Sequence, residues 1–293
     1  MKVNIPSGKY ILAVSGGVDS MTLLDLLSKE RSLELVVAHF NHGIRDDSLK
    51  DAELVRQKAE EYGQPFEVGY GNLGAGASEA EARAARYTFL REIQQKHEAI
   101  SLITAHHQDD LIETALINII RGTGPKGLIA ISTNRDVMRP LLGHRKSEIL
   151  NYARINNLLW LEDSSNQDNS YLRNYVRNEL LPKMSAADRK QILTQIKKIE
   201  AVHIETESVI AKISQKVLID ELTVNRSTFI SLPPDVATSF LVFWLKSLNV
   251  ADLDKRTIWR LANALKTAPA GSQHELRNGK HLKLTKKEAH FSI

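Results

Sequence analysis

Apolar residues in the first 140 positions fall into short runs separated by segments with a helical period. Tyr10 to Val14, Glu34 to Asn41, Phe66 to Tyr70, Ile100 to Ala105 and, more weakly, Val137 to Leu141 are β-prone runs bounded by turn residues. Short runs of this kind are what strands covered on both faces of a parallel sheet present. Between them, Val18 to Leu27, Asp46 to Tyr62, Ser78 to His97 and Asp109 to Arg121 repeat apolar residues at helical spacing. Strands alternating with helices predict an α/β, Rossmann-like parallel sheet with helices on both faces and right-handed crossovers.

After Pro140 the pattern changes. A helix is expected around Ser147 to Asn156, followed by the polar run Glu162 to Ser170 and the stretch YLRNYVRNELLP that ends at Pro182. Ile192, Ile196, Ile199, Val202, Ile210, Ile213 and Val217 predict one or two long helices, charged on the outer face. From about Glu221 a small α+β module is expected, with helices over Val236 to Leu248 and Lys255 to Leu265 and a hairpin at Leu276 to Leu284. The implied division is an α/β domain over 1–185, a helical connector over 186–220 and a small C-terminal domain over 221–293.

Composition narrows the chemistry. The 293 residues contain no cysteine, which removes disulfides, thiolate-bound metals and cysteine nucleophiles from this chain. No stretch approaches the roughly 18 apolar residues of a membrane span, and MKVNIPSGK has no signal-peptide core, so the cytoplasm is expected. The net charge of +4 is unevenly spread: Ala251 to Ile293 holds nine Lys/Arg against four Asp/Glu, leaving 30 against 31 for the rest. A basic C-terminal segment fits a polyanionic partner, and fits a solvated surface as well.

Polar residues gather where the predicted strands end, which in open parallel sheets is where ligands bind. After the first strand comes Ser15-Gly16-Gly17-Val18-Asp19-Ser20, leading into a helix. Glycines let backbone approach a ligand and a helix start leaves N–H groups free for an anion, although the same residues also suit a tight turn capped by Ser15. No Walker lysine follows the glycines. After the second strand come His39, Asn41, His42 and Arg45. After the fourth comes TAHHQDDLIET, where His106 precedes Asp109, Asp110 and Glu113 by three, four and seven residues, spacings that share one helix face. Such carboxylates suit Mg²⁺ beside phosphate, or equally an acidic first turn that complements the helix dipole. Gly122 to Gly127 matches a dinucleotide fingerprint but follows a helix, so it is read as a helix-ending loop.

SGGVDS resembles the loop of the N-type ATP pyrophosphatases. Together with AHFNHGIR, SEAEARAARY, TAHHQDDLIET, RGTGPKGL, RPLL and WLEDSSNQDNSYLRNYVRNELLP, in that order, it resembles the tRNA(Ile)-lysidine synthetases over roughly residues 8–185. The resemblance implies ATP and Mg²⁺ as cofactors, and as partners an isoleucine tRNA with a CAU anticodon and free L-lysine. It implies adenylation of C2 of the wobble cytidine, displacement of AMP by lysine, and release of pyrophosphate. Ser15, Gly16, Gly17, Val18, Asp19 and Ser20 would then bind the nucleotide, with Asp19 a candidate Mg²⁺ ligand. Asp109, Asp110 and Glu113 would hold the lysine amine or metal, and His106 would accept a proton. Arg121 would act at the reacting phosphorus, and Arg83, Arg86, Arg173 and Arg177 would meet phosphate or tRNA. Sister enzymes that thiolate tRNA through the same adenylate generally use cysteine, which is absent here.

Overall fold

The computed structural model describes residues 1–43, 48–71, 78–133, 136–161, 172–250, 254–276 and 279–292. Two compact units emerge, Met1–Glu200 and Ala201–Ile293.

The first unit is built on β1 (Gly8–Ala13), β2 (Leu33–Asn41), β3 (Phe66–Tyr70), β4 (Ser101–Ile103) and β5 (Val137–Met138). All pair in parallel in the order β3-β2-β1-β4-β5. The helices are α1 (Val18–Ser28), α2 (Ser48–Glu61), α3 (Glu79–Lys96), α4 (Gln108–Ile120), α5 (Pro125–Leu128), α6 (Lys146–Ile155) and α7 (Leu172–Tyr175). The last runs directly into a π turn over Val176–Leu180.

Alternation along β1 divides the core between the two faces of the sheet. Tyr10, Leu12 and Val14 pack with Leu23, Leu24 and Leu27 of α1, Val55 of α2 and Ile149 of α6. Ile11 packs on the opposite face with Leu90 and Ile93 of α3. Strand order therefore reverses between β1 and β4, and their carboxyl ends form the crevice of a topological switch point.

Two strands are shorter than expected. After β4, Thr104 still donates its amide to Met138 O, but its hydroxyl lies 2.8 Å from His106 Nδ1 as the chain leaves the sheet. After β5, Pro140 has no N–H for a ladder and Leu142 N donates to Arg139 O in a turn. Elsewhere pattern and structure agree within a few residues. Ser78 caps α3 through a reciprocal box with Glu81.

One helix, α8 (Ala186–Val217), occupies the stretch read as one or two helices. Its early residues Ile192, Ile196 and Ile199 pack with Leu111 and Ala115 of α4. The second unit carries α9 (Arg226–Ile230), α10 (Pro234–Ser247) and α11 (Lys255–Thr267). Its strands β6 (Leu218–Asp220), β7 (Thr223–Asn225), β8 (Gln273–Glu275), β9 (His281–Leu284) and β10 (Glu288–Ser292) form an antiparallel sheet in the order β6-β7-β10-β9-β8. Val217, Phe229, Phe240, Trp244 and Phe291 center its core.

Candidate active site

The turn between β1 and α1 is tied from within. Gly16 has φ +92°, a conformation that side chains disfavour. Ser20, buried at the start of α1, accepts the Ser15 amide at 3.1 Å and donates to Gly17 O at 2.9 Å. Gly17 is the N-cap of α1 and no side chain caps it. Ser15 Oγ accepts the Gly17 amide at 3.5 Å and lies 3.2 Å from Ser20 Oγ. The Ser20 hydroxyl thus shapes the loop, and the first amides of α1 have no side-chain acceptor. From α6 onward the chain returns to this loop, where Leu161 N donates to Gly16 O at 3.1 Å.

Asp19 is the center of a charged group at the loop. Lys146, the first residue of α6, places Nζ 2.6 and 2.7 Å from its two oxygens. His107 Nε2 lies 3.6 Å from Asp19 and 3.5 Å from Asp110. Burial works to raise the Asp19 carboxyl, but His107 and the Lys146 ammonium outweigh it and hold the carboxyl below its ordinary range. His107 is shifted up, because its two carboxylate neighbours outweigh its burial. It also caps α4, accepting the Asp109 amide at Nδ1, while Asp110 accepts the His107 amide.

Beside this group lies a cavity of about 230 Å³ lined by His42, Ala82, Arg83, Arg86, His106, Asp110, Glu113, Ile131, Arg173 and Arg177. Glu113 is 2% exposed, with Arg173 Nε 2.5 Å and Arg177 Nε 2.9 Å from its oxygens. Arg177 also reaches Asp110 at 3.3 Å. Burial pushes the Glu113 carboxyl up to about 7, against the Arg177 guanidinium and with the like charge of Asp110. Burial also drives His106 down to about 4, and Arg139, Arg83 and Arg86 add to the shift against Asp110. His106 is therefore a neutral imidazole at physiological pH. Four arginines against two carboxylates make the lining net positive, and its chemistry favours an anion.

The residues picked from sequence are thus partly brought together. Arg83, Arg86, His106, Asp110, Glu113, Arg173 and Arg177 line one cavity. Asp109 points elsewhere and pairs with Arg189 of α8 at 2.9 Å. Arg121 is the exposed C-cap of α4, and Gly122 follows at φ +66°. His39 serves the fold, its Nδ1 lying 2.9 Å from Val14 O. Arg45 and the run Glu162 to Ser170 lie outside the described residues. Sequence reasoning missed Lys146 as a partner of Asp19 and Arg189 as a partner of Asp109. Position at a helix start just after the RPLL block was the only signal for Lys146.

A PP-loop domain family matches residues 2–184. The tRNA(Ile)-lysidine synthase of Francisella tularensis is 32% identical over 282 residues, which cover 92% of this chain and 69% of that protein. The chain belongs to the PP-loop family of tRNA(Ile)-lysidine synthases. Within that family, the Thermotoga maritima tRNA(Ile)-lysidine synthase is 38% identical over 191 residues, 61% of this chain. The chain matches about half the length of that relative, 46%. Among solved structures, a U34-tRNA thiolase from Methanococcus maripaludis with its [4Fe-4S] cluster superposes with a TM-score of 0.55 at 18% identity, covering 68% of this chain and 73% of that one. That likeness shows a shared fold.

Proposed function

We propose that this chain performs the reaction for which its family is named, joining lysine to the wobble cytidine of an isoleucine tRNA with a CAU anticodon at the expense of ATP. The observation that carries the reading is the pairing, at the carboxyl ends of β1 and β4, of an uncapped helix start with a net-positive cavity. In the first step the C2 oxygen of cytidine attacks the α-phosphorus, and the bond to pyrophosphate breaks. In the second the ε-amine of lysine bonds to C2, and AMP leaves with the C–O electron pair.

The amides from Val18 to Ser20 are suited to polyphosphate, and Arg83 and Arg86 to the charge that builds on the reacting phosphorus. Arg173 and Arg177 are held in place by Glu113 and Asp110, so these acids orient cations as well as offering charge to a lysine amine. His106, a neutral imidazole on the cavity wall, would accept a proton from the incoming amine, and its low basicity would let it pass the proton on. Arg121 is exposed on the same helix, where RNA phosphate is its most accessible partner.

Among the described residues no group of three or more His, Cys, Asp or Glu is arranged to hold a metal ion. Asp19, whose carboxyl is held below its ordinary range beside the loop, is the oxygen donor that would hold a Mg²⁺ arriving with the nucleotide. When bound it would neutralise phosphate charge. A thiolation reading is disfavoured because the thiolase of similar fold holds an iron-sulfur cluster and this chain has no cysteine.

The test is incubation with isoleucine tRNA transcript, ATP and labelled lysine. Lysine incorporation is expected to match AMP and pyrophosphate one for one. ADP as the stoichiometric product, or AMP without incorporation, rejects the reading.

A further inference from the structure

The loop between β1 and α1 has no lysine of its own: Val18 and Asp19 follow the glycines. An ammonium nevertheless stands beside it. Lys146 contacts both oxygens of Asp19, a residue of the same first turn whose amides lack a side-chain cap. This placement does not depend on the ion pair. Ile149 and Ala153, one and two turns further along α6, are buried against the first helix and its neighbours, and Tyr152 Oη donates to Asp25 of α1 at 2.8 Å. Helix α6 is thus docked by packing, while the Lys146 head group sits on a flexible stem and remains 35% exposed.

The partner it holds is a poor final one. Asp19 offers a single negative charge, and His107 already stands 3.6 Å from it. A polyphosphate on the α1 amides would bring several charges to the same turn, and an unmasked Asp19 would repel it. Moving the ammonium from carboxylate to phosphate keeps a cation against the larger charge. Asp19 is then left beside His107, open to a cation that comes with the nucleotide.

We propose that Lys146 is the phosphate-binding lysine of this loop, supplied from α6 in space rather than from the loop in sequence, and parked on Asp19 until a polyphosphate takes its ammonium. The inference rests on the reading of the loop as a polyphosphate site.

A double-mutant cycle on the full chain tests it, with inorganic pyrophosphate as the probe, titrated by calorimetry in Mg²⁺-free buffer. Losing one charge-assisted contact, Lys146→Met is expected to weaken binding about tenfold or more, and Lys146→Arg to restore most of it. Asp19→Asn, which frees the ammonium, should tighten binding in the parent. Removing an acid near a phosphate tightens binding somewhat on charge alone. The decisive quantity is therefore the difference: the gain from Asp19→Asn should shrink at least about threefold in the Lys146→Met background, since neighbouring charges couple. Because Asp19→Asn is expected to gain affinity, its result cannot be confused with misfolding. Unchanged binding by Lys146→Met, or equal gains in both backgrounds, overturns the inference and leaves the loop reading standing. A parent that binds no pyrophosphate overturns the loop reading as well.

Discussion

Glu113 is buried on α4 against two guanidinium groups that come from 60 and 64 residues further along the chain. Glu113→Gln leaves Arg173 and Arg177 facing each other. Because burial holds the Glu113 carboxyl up at about 7, its ionisation costs stability as pH rises, and between about pH 5 and 7.5 the parent should lose about 2 kcal/mol more than Glu113→Gln in urea unfolding. Asp109→Asn, which loosens only the pair with Arg189, should cost under about 1 kcal/mol and leave tRNA adenylation intact. Loss of adenylation in Asp109→Asn would return that residue to the reacting group. His106 makes a pH prediction. Its folded value of about 4 lies below the ordinary 6.5, so its contribution is fully present above pH 6.5 and is lost as pH falls toward 4. Between pH 7 and 5 the parent should lose about 2 kcal/mol more than His106→Gln does. Parallel stability curves would show that His106 is not held neutral.

At the level of elements, the two loop glycines separate conformation from approach. Gly16 sits at φ +92°, while Gly17 has φ −76°. A Cβ on either would meet only ordinary contacts, Asp51 Cβ at 3.5 Å and Ser15 Oγ at 3.6 Å respectively. Gly16→Ala should therefore cost about 1 to 2 kcal/mol through backbone strain, while Gly17→Ala leaves unfolding nearly unchanged. If the loop cradles phosphate, Gly17→Ala should still weaken pyrophosphate binding, because the new methyl stands at the helix start; unchanged binding would locate the phosphate elsewhere. Arg173 and Arg177, four residues apart on one helical face, share the Glu113 carboxylate. One α turn passes into a π turn between them, and such turns recur at functional sites.

For the whole molecule, the positive excess of the C-terminal segment is not one uniform surface. Lys266 bonds the carbonyls of Ile230 and Leu232, Arg260 that of Glu275, and Lys280 that of Asn249. Lys283, Lys286 and Lys287 on β9 and the following turn are exposed. If this unit grips tRNA, neutralising these three should lower the slope of log affinity against log salt by about 0.7 to 0.9 per lost contact. Filter binding from low to high salt measures it, and an unchanged slope would leave these lysines as solvated surface.

Local physics made much of this legible beforehand. The βα alternation, the glycine turn at Gly16 and the small C-terminal α+β module depend on periodicity and backbone preference, which neighbouring residues determine among themselves. The arginines and acids of the cavity were legible as residue types, because polar groups at strand ends face one crevice once the sheet is parallel. What only tertiary structure decided was pairing. Asp109, Asp110 and Glu113 look alike along one helix, yet packing of α8 sends the first to Arg189, while the turns after Leu172 bring Arg177 to the other two and Arg173 to Glu113. Lys146 reaches Asp19 across 127 residues because Ile149, Tyr152 and Ala153 dock α6 on α1. A charge seeks any opposite partner, and no local pattern states which one the folded chain will bring within reach.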